Sequence, residues 1–398
     1  MSLPLLALFV AAFALGTAEF VIAGLLPDVA TGLGISIPVA GYLITAYAVG
    51  IAVGGPVLAL MTKKVPRRTL IIWLCASFTV GQALCALSPN FEVLMVARVL
   101  VAISHGTYFG IASIVATGLV PAHKRGSAVA LLLAGLTVSN ILGVPGGTAI
   151  GNIFGWRAAF WAVGALGFLA TIAIAILLPK NAGEGASAGS FMRELKALGR
   201  QQIVLSLAIV ILVMIGQYSL FTYVAPLLLN VTGLSQEMVP WMLLLFGVGS
   251  TIGVLIGGRL ADWKLMPSLI GIMVVQVCAY VLLVIVSPYP ILMGICVVLW
   301  GGANFAFGAP VQSRVLQWAA DAPNLASTLI PSGFNVGIAI GAVLGASVLE
   351  AGLGYRNLPW IGAIALTLSC GIAIASLILE KRSGATPPLS AGSVTPAH

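Results

Sequence analysis

Apolar residues in this chain come in long, nearly unbroken runs, separated by short clusters of Pro, Gly, Ser and basic residues. A helix rises 1.5 Å per residue, so about 20 apolar residues cross ~30 Å of hydrocarbon. Twelve runs reach that length, over 3–26, 38–60, 69–88, 91–119, 127–150, 156–178, 202–229, 237–260, 267–286, 289–312, 325–349 and 357–379. Among the breaks are Pro66-Arg67-Arg68, Ser88-Pro89-Asn90, His123-Lys124-Arg125 and Ser287-Pro288-Tyr289-Pro290, residues that punctuate helices. The pattern predicts an all-α membrane protein with 12 transmembrane helices.

Composition agrees: 60% of the residues are hydrophobic and 7% charged, with a mean hydropathy of +1.13. No water-soluble core of this length hides so much apolar surface. The net charge of +8 is a matter of sidedness. With the N-terminus taken as cytoplasmic, that side holds Lys63, Lys64, Arg67, Arg68, Lys124, Arg125, Lys180, Arg193, Lys196, Arg200, Arg259, Lys264, Arg314, Lys381 and Arg382, and the other side only Arg157 and Arg356. The positive-inside rule then places both termini in the cytoplasm of an inner (plasma) membrane and removes nucleic acid as a partner.

Residues 1–20 end an apolar run in Gly16-Thr17-Ala18 but carry no Lys or Arg ahead of it, and the run continues to Leu26; an uncleaved first span is expected. The five cysteines, Cys75, Cys85, Cys278, Cys296 and Cys370, lie within spans without CxxC spacing, which points to packing and not to a metal or disulfide. A Gly-x-x-x-x-Gly-Lys-Ser/Thr loop is absent, and the three histidines sit beside no nucleophile or ligand cluster. An enzyme, a bound cofactor and ATP as energy source are therefore not expected.

The longest polar break, Lys180 to Gln201, divides the chain into an N-terminal six-helix bundle (1–179), a cytoplasmic linker (180–201) and a C-terminal six-helix bundle (202–380). A Gly-, Pro- and Ser-containing tail (381–398) reads as disordered. Within the linker, Phe191, Leu195 and Leu198 share one face and Arg193, Lys196 and Arg200 lie elsewhere, the pattern of a short interfacial helix. The halves also echo each other. Gly155-Trp156-Arg157 recurs as Gly354-Tyr355-Arg356, 199 residues on, and the same offset lays the Ala59 to Val65 loop on Gly258 to Lys264. Two matches at one offset predict a parallel repeat, with a substrate site between the halves near the midplane.

Four stretches carry a family resemblance. The eighth-to-ninth loop reads Gly258-Arg259-Leu260-Ala261-Asp262, while its first-half copy has Ala59 and Lys63 in place of Gly and Asp. Span four holds Arg98, followed by Val101 and Ala102; span five runs from Gly135 to Gly151 through Gly143-Val144-Pro145-Gly146-Gly147; span one has Gly16-Thr17-Ala18-Glu19-Phe20 leading to Leu26-Pro27. Over essentially its whole length the chain resembles the major facilitator superfamily. The likeness is closest to the twelve-span drug:proton antiporter branch, with its arabinose-efflux-permease-like, sugar-, purine- and chloramphenicol-export members. The resemblance implies a major-facilitator-type fold of two pseudo-symmetric six-helix bundles, a monomer in the bilayer. It implies a cytoplasmic gate motif at Gly258, Arg259 and Asp262 and an antiporter motif at Gly143, Pro145 and Gly147. Val101 and Ala102 depart from the Gln and Gly usual in span four, and Lys63 reverses the charge usual in the first-half loop.

Charges inside a span cost several kcal/mol on some scales and so point to function. Glu19 lies seven residues before Leu26 and Arg98 seven after Phe91 on an opposed helix, so both are expected ~10 Å below the outer surface, able to meet. His105 follows two turns deeper on the face of Arg98. Burial and a neighbouring cation act on a carboxyl group in opposite senses, which suits Glu19, Arg98 and His105 to proton coupling; a structural ion pair with a hydrogen-bonded histidine fits the same pattern. Asp28, nine residues from Glu19, falls on the opposite side of the helix and reads as a solvated rim residue. In the second half the interior polar residues are uncharged. Tyr223 and Asn304, with Gln217 and Asn335, are the candidate substrate contacts, and bridging between helices is the alternative reading of each. Asp262 is expected to cap span nine or meet Arg259 and nearby bases, closing the inner gate. The stripe Gly135, Ser139, Gly143, Gly147 and Gly151 recurs every four residues and invites a close neighbour, with Pro145 bending the helix.

Together these readings give a secondary transporter in which protons move one way and a small neutral or amphipathic solute the other: a sugar such as arabinose, a purine, or a drug such as chloramphenicol. A symporter or uniporter uses the same fold, and a transport-dead sensor is the reading from another class.

Overall fold

The computed structural model describes residues 2–183, 200–319 and 323–383. Among them twelve helices are long and apolar enough to span a membrane: α1 (Leu3–Leu33), α2 (Ile37–Met61), α3 (Arg67–Leu87), α4 (Phe91–Gly118), α5 (Arg125–Phe154), α6 (Trp156–Leu177), α7 (Gln201–Phe221), α8 (Gln236–Trp263), α9 (Leu265–Val286) and α10 (Pro290–Trp318), then α11 (Pro323–Glu350) and α12 (Leu358–Ser383). A helix satisfies its own backbone polar groups, which hydrocarbon cannot. Twelve crossings put both ends of the chain on one face, called here the terminal face; the opposite one is the distal face. The expected interfacial helix at 190–200 and most of the tail lie outside the described residues.

The largest departure from the apolar pattern is α1. It continues through Pro27 and Asp28 to Leu33, two turns beyond the apolar run. It stops at Gly34, whose φ of 64° lets its N–H reach back to the carbonyls of Ala30 and Thr31, a left-handed cap that glycine adopts without strain. Pro27 lacks one helical donor, which neighbouring helices make tolerable in a span. Two spans contain a π-helical turn, Gly50–Gly54 in α2 and Ser139–Gly143 in α5. After α7 the chain breaks at Thr222 and Tyr223 and resumes as a short helix, Val224–Asn230.

The repeat at 199 residues is visible as geometry. Gly155 and Gly354 both have positive φ, 86° and 77°, and each turns the chain so that the following arginine caps a helix end. Arg157 Nη2 donates to Ser88 O at the end of α3 (2.9 Å), and Arg356 Nε to Val284 O in the last turn of α9 (3.0 Å). Where α2 crosses α4, Gly50 faces Ala102 and the Val99 carbonyl and Gly54 faces Ile103; where α8 crosses α10, Gly249 faces the Val298 carbonyl and Gly253 the Gly302 carbonyl. Each of these pairs is offset by 199. A Cβ at any of the four glycines would overlap its neighbour, so backbone approach is what holds these crossings, as expected where lipid removes the hydrophobic drive.

The halves, α1–α6 and α7–α12, meet through α2 against α11 and α5 against α8. Arg314, read from the sequence as a loop cation, is instead 1% exposed at the end of α10. Its Nη2, with two N–H groups, is shared among Gln202 Oε1 (3.0 Å), Ser376 Oγ (2.8 Å) and Glu380 Oε2 (3.0 Å). A buried charge persists only when paired and hydrogen-bonded; this one ties the start of α7 to the ends of α10 and α12.

Candidate functional site

With α1 extended to Leu33, Glu19 sits at the middle of its helix and not ~10 Å from the outer surface. It opens into a cavity between the halves, lined by Phe20, Ala23, Ile44, Tyr47 and Ala48 on one side and Tyr218, Phe221 and Ile338 on the other. Glu19 is the one acidic or basic side chain in that lining. The rings are close: Phe20 lies 6.3 Å from Tyr218 and 6.4 Å from Phe221.

Glu19 and His105 come together as the stripe predicts, with Nε2 3.8 Å from Oε2. The other ring nitrogen, Nδ1, is 2.9 Å from the Tyr47 hydroxyl, a partner the sequence did not announce. Arg98 does not pair with Glu19. Its Nη1 donates to Ala18 O, the carbonyl preceding Glu19, at 2.6 Å, and its guanidinium lies over the Tyr47 ring at 4.1 Å. Nε and Nη2 of Arg98 find no hydrogen-bond partner, so the cation is held by one carbonyl and an aromatic face.

In the second half, Gln217 Nε2 donates to the backbone carbonyl of Asn304 (3.2 Å), while Asn304 Oδ1 is buried without a partner. Asn335 Nδ2 donates to Pro331 O (3.0 Å), and its Oδ1 is also buried and unpartnered; it stands one turn from the cavity residue Ile338. Tyr223 is not a cavity residue. Its hydroxyl donates to Ala342 O (2.9 Å) and its ring fills the space left by Gly41 and Gly345, so it bridges helices. The tyrosine that does face the cavity is Tyr218.

The glycine stripe of α5 packs on α1: Gly135 against Phe9 and Ala12, Ser139 against Gly16, Gly143 against Thr17, Gly147 against Val21, Gly151 against Leu25. The opposite side of α5 carries Asn140 and Ile141 onto Gly247 of α8. Pro145 lies two residues after the π-helical turn ends at Gly143. On the distal face Asp28 is a half-buried rim residue with a partner the sequence did not announce: its carboxylate accepts from Gln236 Nε2, and the Gln236 carbonyl accepts from Asn152 Nδ2 (2.9 Å), a clasp across the halves. Other cross-half bonds, Thr45 to Ala339 O and Ser332 to Ala52 O, lie nearer the middle. On the terminal face Asp262 belongs to α8, exposed, and neither caps α9, whose N-cap is Lys264, nor pairs with Arg259 or another described residue. Gly258 has open space around it.

Residues 8–323 match the sequence model of the Major Facilitator Superfamily. The chain is 40% identical over 385 residues to the inner membrane transport protein YdhP of Escherichia coli (strain K12), covering 95% of this chain and 96% of that one. It is 34% identical over 375 residues to the chloramphenicol resistance protein of Streptomyces lividans, covering 94% and 96%. Among solved structures it resembles a bacterial homolog of the human lysosomal transporter Spinster, with a TM-score of 0.74, 19% identity and 94% of each chain covered.

Proposed function

The chain belongs to the major facilitator superfamily, and from that premise we propose that this transporter exports a small neutral or amphipathic solute in exchange for protons. The observation that carries the reading is Glu19, the lone acid in the cavity between the halves, backed by His105 and Tyr47. An ionisable group at the middle of a span is costly and belongs to a pathway by default. A proton arriving at Glu19 removes its charge from the aromatic cavity, and its departure restores it; the solute then meets a different site in each case. The aromatic lining suits a ring-bearing solute and on that ground supports an uncharged drug of the chloramphenicol kind, as in the Streptomyces relative's name, above a sugar, as in the name of a Helicobacter pylori relative.

The terminal face, rich in Lys and Arg, is the cytoplasmic face of the inner membrane by the positive-inside rule. With the distal clasp made and Asp262 unpaired, the molecule then opens inward. Rocking of one six-helix bundle against the other, joined by the 180–201 linker, breaks the clasp and lets Asp262 find a basic partner. The solute and protons are the partners this cycle needs, and a monomer suffices.

Proton movement in proteoliposomes on adding chloramphenicol, purines or sugars tests this. Solute-driven proton flux in the native chain, cut at least ten-fold in Glu19→Gln, is the expected result. Flux unchanged by Glu19→Gln sinks Glu19 as the coupling group, and solute movement without protons makes the protein a uniporter.

A further inference from the structure

The 199-residue repeat can be carried into the site itself. It pairs Glu19 with Tyr218, Tyr47 with Phe246, Arg98 with Val297 and His105 with Asn304. The register is not nominal here: besides the glycine crossings, Ser104 donates to Ser77 (3.0 Å) where Gln276 donates to the carbonyl of Ala303 (3.0 Å), the same two positions one half later. We propose that the second half holds, on the positional twins of the proton site, the site that recognises the hydrogen-bonding group of an uncharged, ring-bearing solute, with Tyr218 and Asn304 as its specificity-determining pair. This rests on the export reading above and names the residues that select its solute.

Every charged or protonatable member of the first-half set is replaced. A carboxylate becomes a phenol, an imidazole an amide, a guanidinium an alkyl group, so the twin site binds without exchanging protons. Of its residues Tyr218 stands in the cavity lining, and Asn304 and Trp300 lie outside that lining, joined to it through Phe221, a lining residue 6.2 Å from the Trp300 ring. Tyr218 lines the cavity opposite Glu19, and its hydroxyl has no hydrogen-bond partner among the described residues. Asn304 Oδ1, Gln276 Oε1 and Trp300 Nε1 are buried with no partner in hydrogen-bond geometry, and the Tyr280 hydroxyl lies beside Trp300 and Asn304. Around them stand rings in contact: Phe221 with Phe246 at 5.1 Å and Phe246 with Trp300 at 4.8 Å. Donors and acceptors left unpaired inside an aromatic wall fit a solute that offers a ring and a hydroxyl or amide. A site built to pair such groups rejects analogues that lack them.

The test is solute counterflow in proteoliposomes at equal pH on both sides, which needs no proton gradient. Chloramphenicol, adenine and arabinose are the probes, and native chain, Tyr218→Phe, Asn304→Ser and Glu19→Gln are compared. Tyr218→Phe keeps the ring and removes one hydroxyl, so folding is preserved; thermal unfolding of each variant checks it. The expected result is a KM for chloramphenicol raised about five- to ten-fold in Tyr218→Phe and Asn304→Ser, with the maximal rate and its pH profile unchanged, while Glu19→Gln alters the pH profile. An unchanged KM in both variants overturns the proposal, as does exchange of no ring-bearing uncharged probe by the native chain. An altered pH profile in Tyr218→Phe overturns it in favour of a second proton site. Loss of solute-driven proton flux alone, with the KM shifts intact, defeats the antiport reading and leaves this one standing.

Discussion

His105 has two ring nitrogens with different neighbours, the Tyr47 hydroxyl on Nδ1 and Glu19 on the side of Nε2. A neutral imidazole carries one proton, and the nitrogen that holds it is set by what the other accepts. When Nδ1 accepts from Tyr47, Nε2–H points its proton at an ionised Glu19. When Glu19 is protonated, Nε2 is free to accept and Nδ1 to donate to the phenol oxygen. On the proposed coupling the ring has a tautomer for each state of the acid, with Tyr47 as the partner of the second nitrogen. Tyr47→Phe removes one hydrogen bond of about 1 kcal/mol, roughly five-fold in a rate. Solute-driven proton flux is expected to fall by that factor while gradient-free counterflow stays near native; a variant that loses both equally refutes the relay. Arg98 forms no ion pair with Glu19; its guanidinium faces the Tyr47 ring and the Ala18 carbonyl, the carbonyl that precedes Glu19.

At the scale of elements, α5 works as a wedge between the halves, flat toward α1 and flat toward α8. Neighbouring glycines test the packing role of its small residues. A Cβ at Gly147 would enter Val21, whereas Gly146 has nothing within 4 Å. Gly147→Leu is expected to cost about 1–3 kcal/mol by overpacking and to lower the thermal midpoint in detergent; Gly146→Leu is expected to leave it unchanged, and equal effects would refute the packing role. The spans themselves were legible because lipid imposes a length; all twelve appear, though α1 runs seven residues and α10 six beyond the expected ends, and the expected 202–229 span is α7 to Phe221 followed, after a break, by Val224–Asn230. In α1, Pro27 and Asp28 look like an exit, yet Asp28 finds Gln236, a partner 208 residues away that no local pattern announces. Tyr218 and Tyr223 likewise look alike in sequence. Five residues turn a helix by about 140°, and the break after Phe221 adds to it, so one faces the cavity and the other bridges helices. Charged groups in spans stand out by their cost; their aromatic partners resemble ordinary packing.

For the whole molecule, closure is asymmetric. The distal face is held by Asp28, Gln236 and Asn152, and the other hydrogen bonds described between the halves, Thr45 to Ala339 O and Ser332 to Ala52 O, lie nearer the middle and not on the terminal face. Asp28→Ala removes one bond of the clasp, worth about 1 kcal/mol or less at its partly exposed site, and is expected to raise the ratio of distal-open to distal-closed molecules up to roughly five-fold. Spin labels at Glu92 and Glu237, one on each half of that face, report it as a longer distance population; an unchanged distribution would show that the clasp does not hold the face. A last consequence concerns where the chain can be cut or extended. The Arg314 knot draws its carboxylate from Glu380, three residues short of the end of α12. A fusion partner joined beyond Ser383 leaves the knot whole, whereas a truncation that removes Glu380 strands a cation inside the second bundle. The workable boundary of the protein is therefore set by one ion pair and not by the last apolar residue.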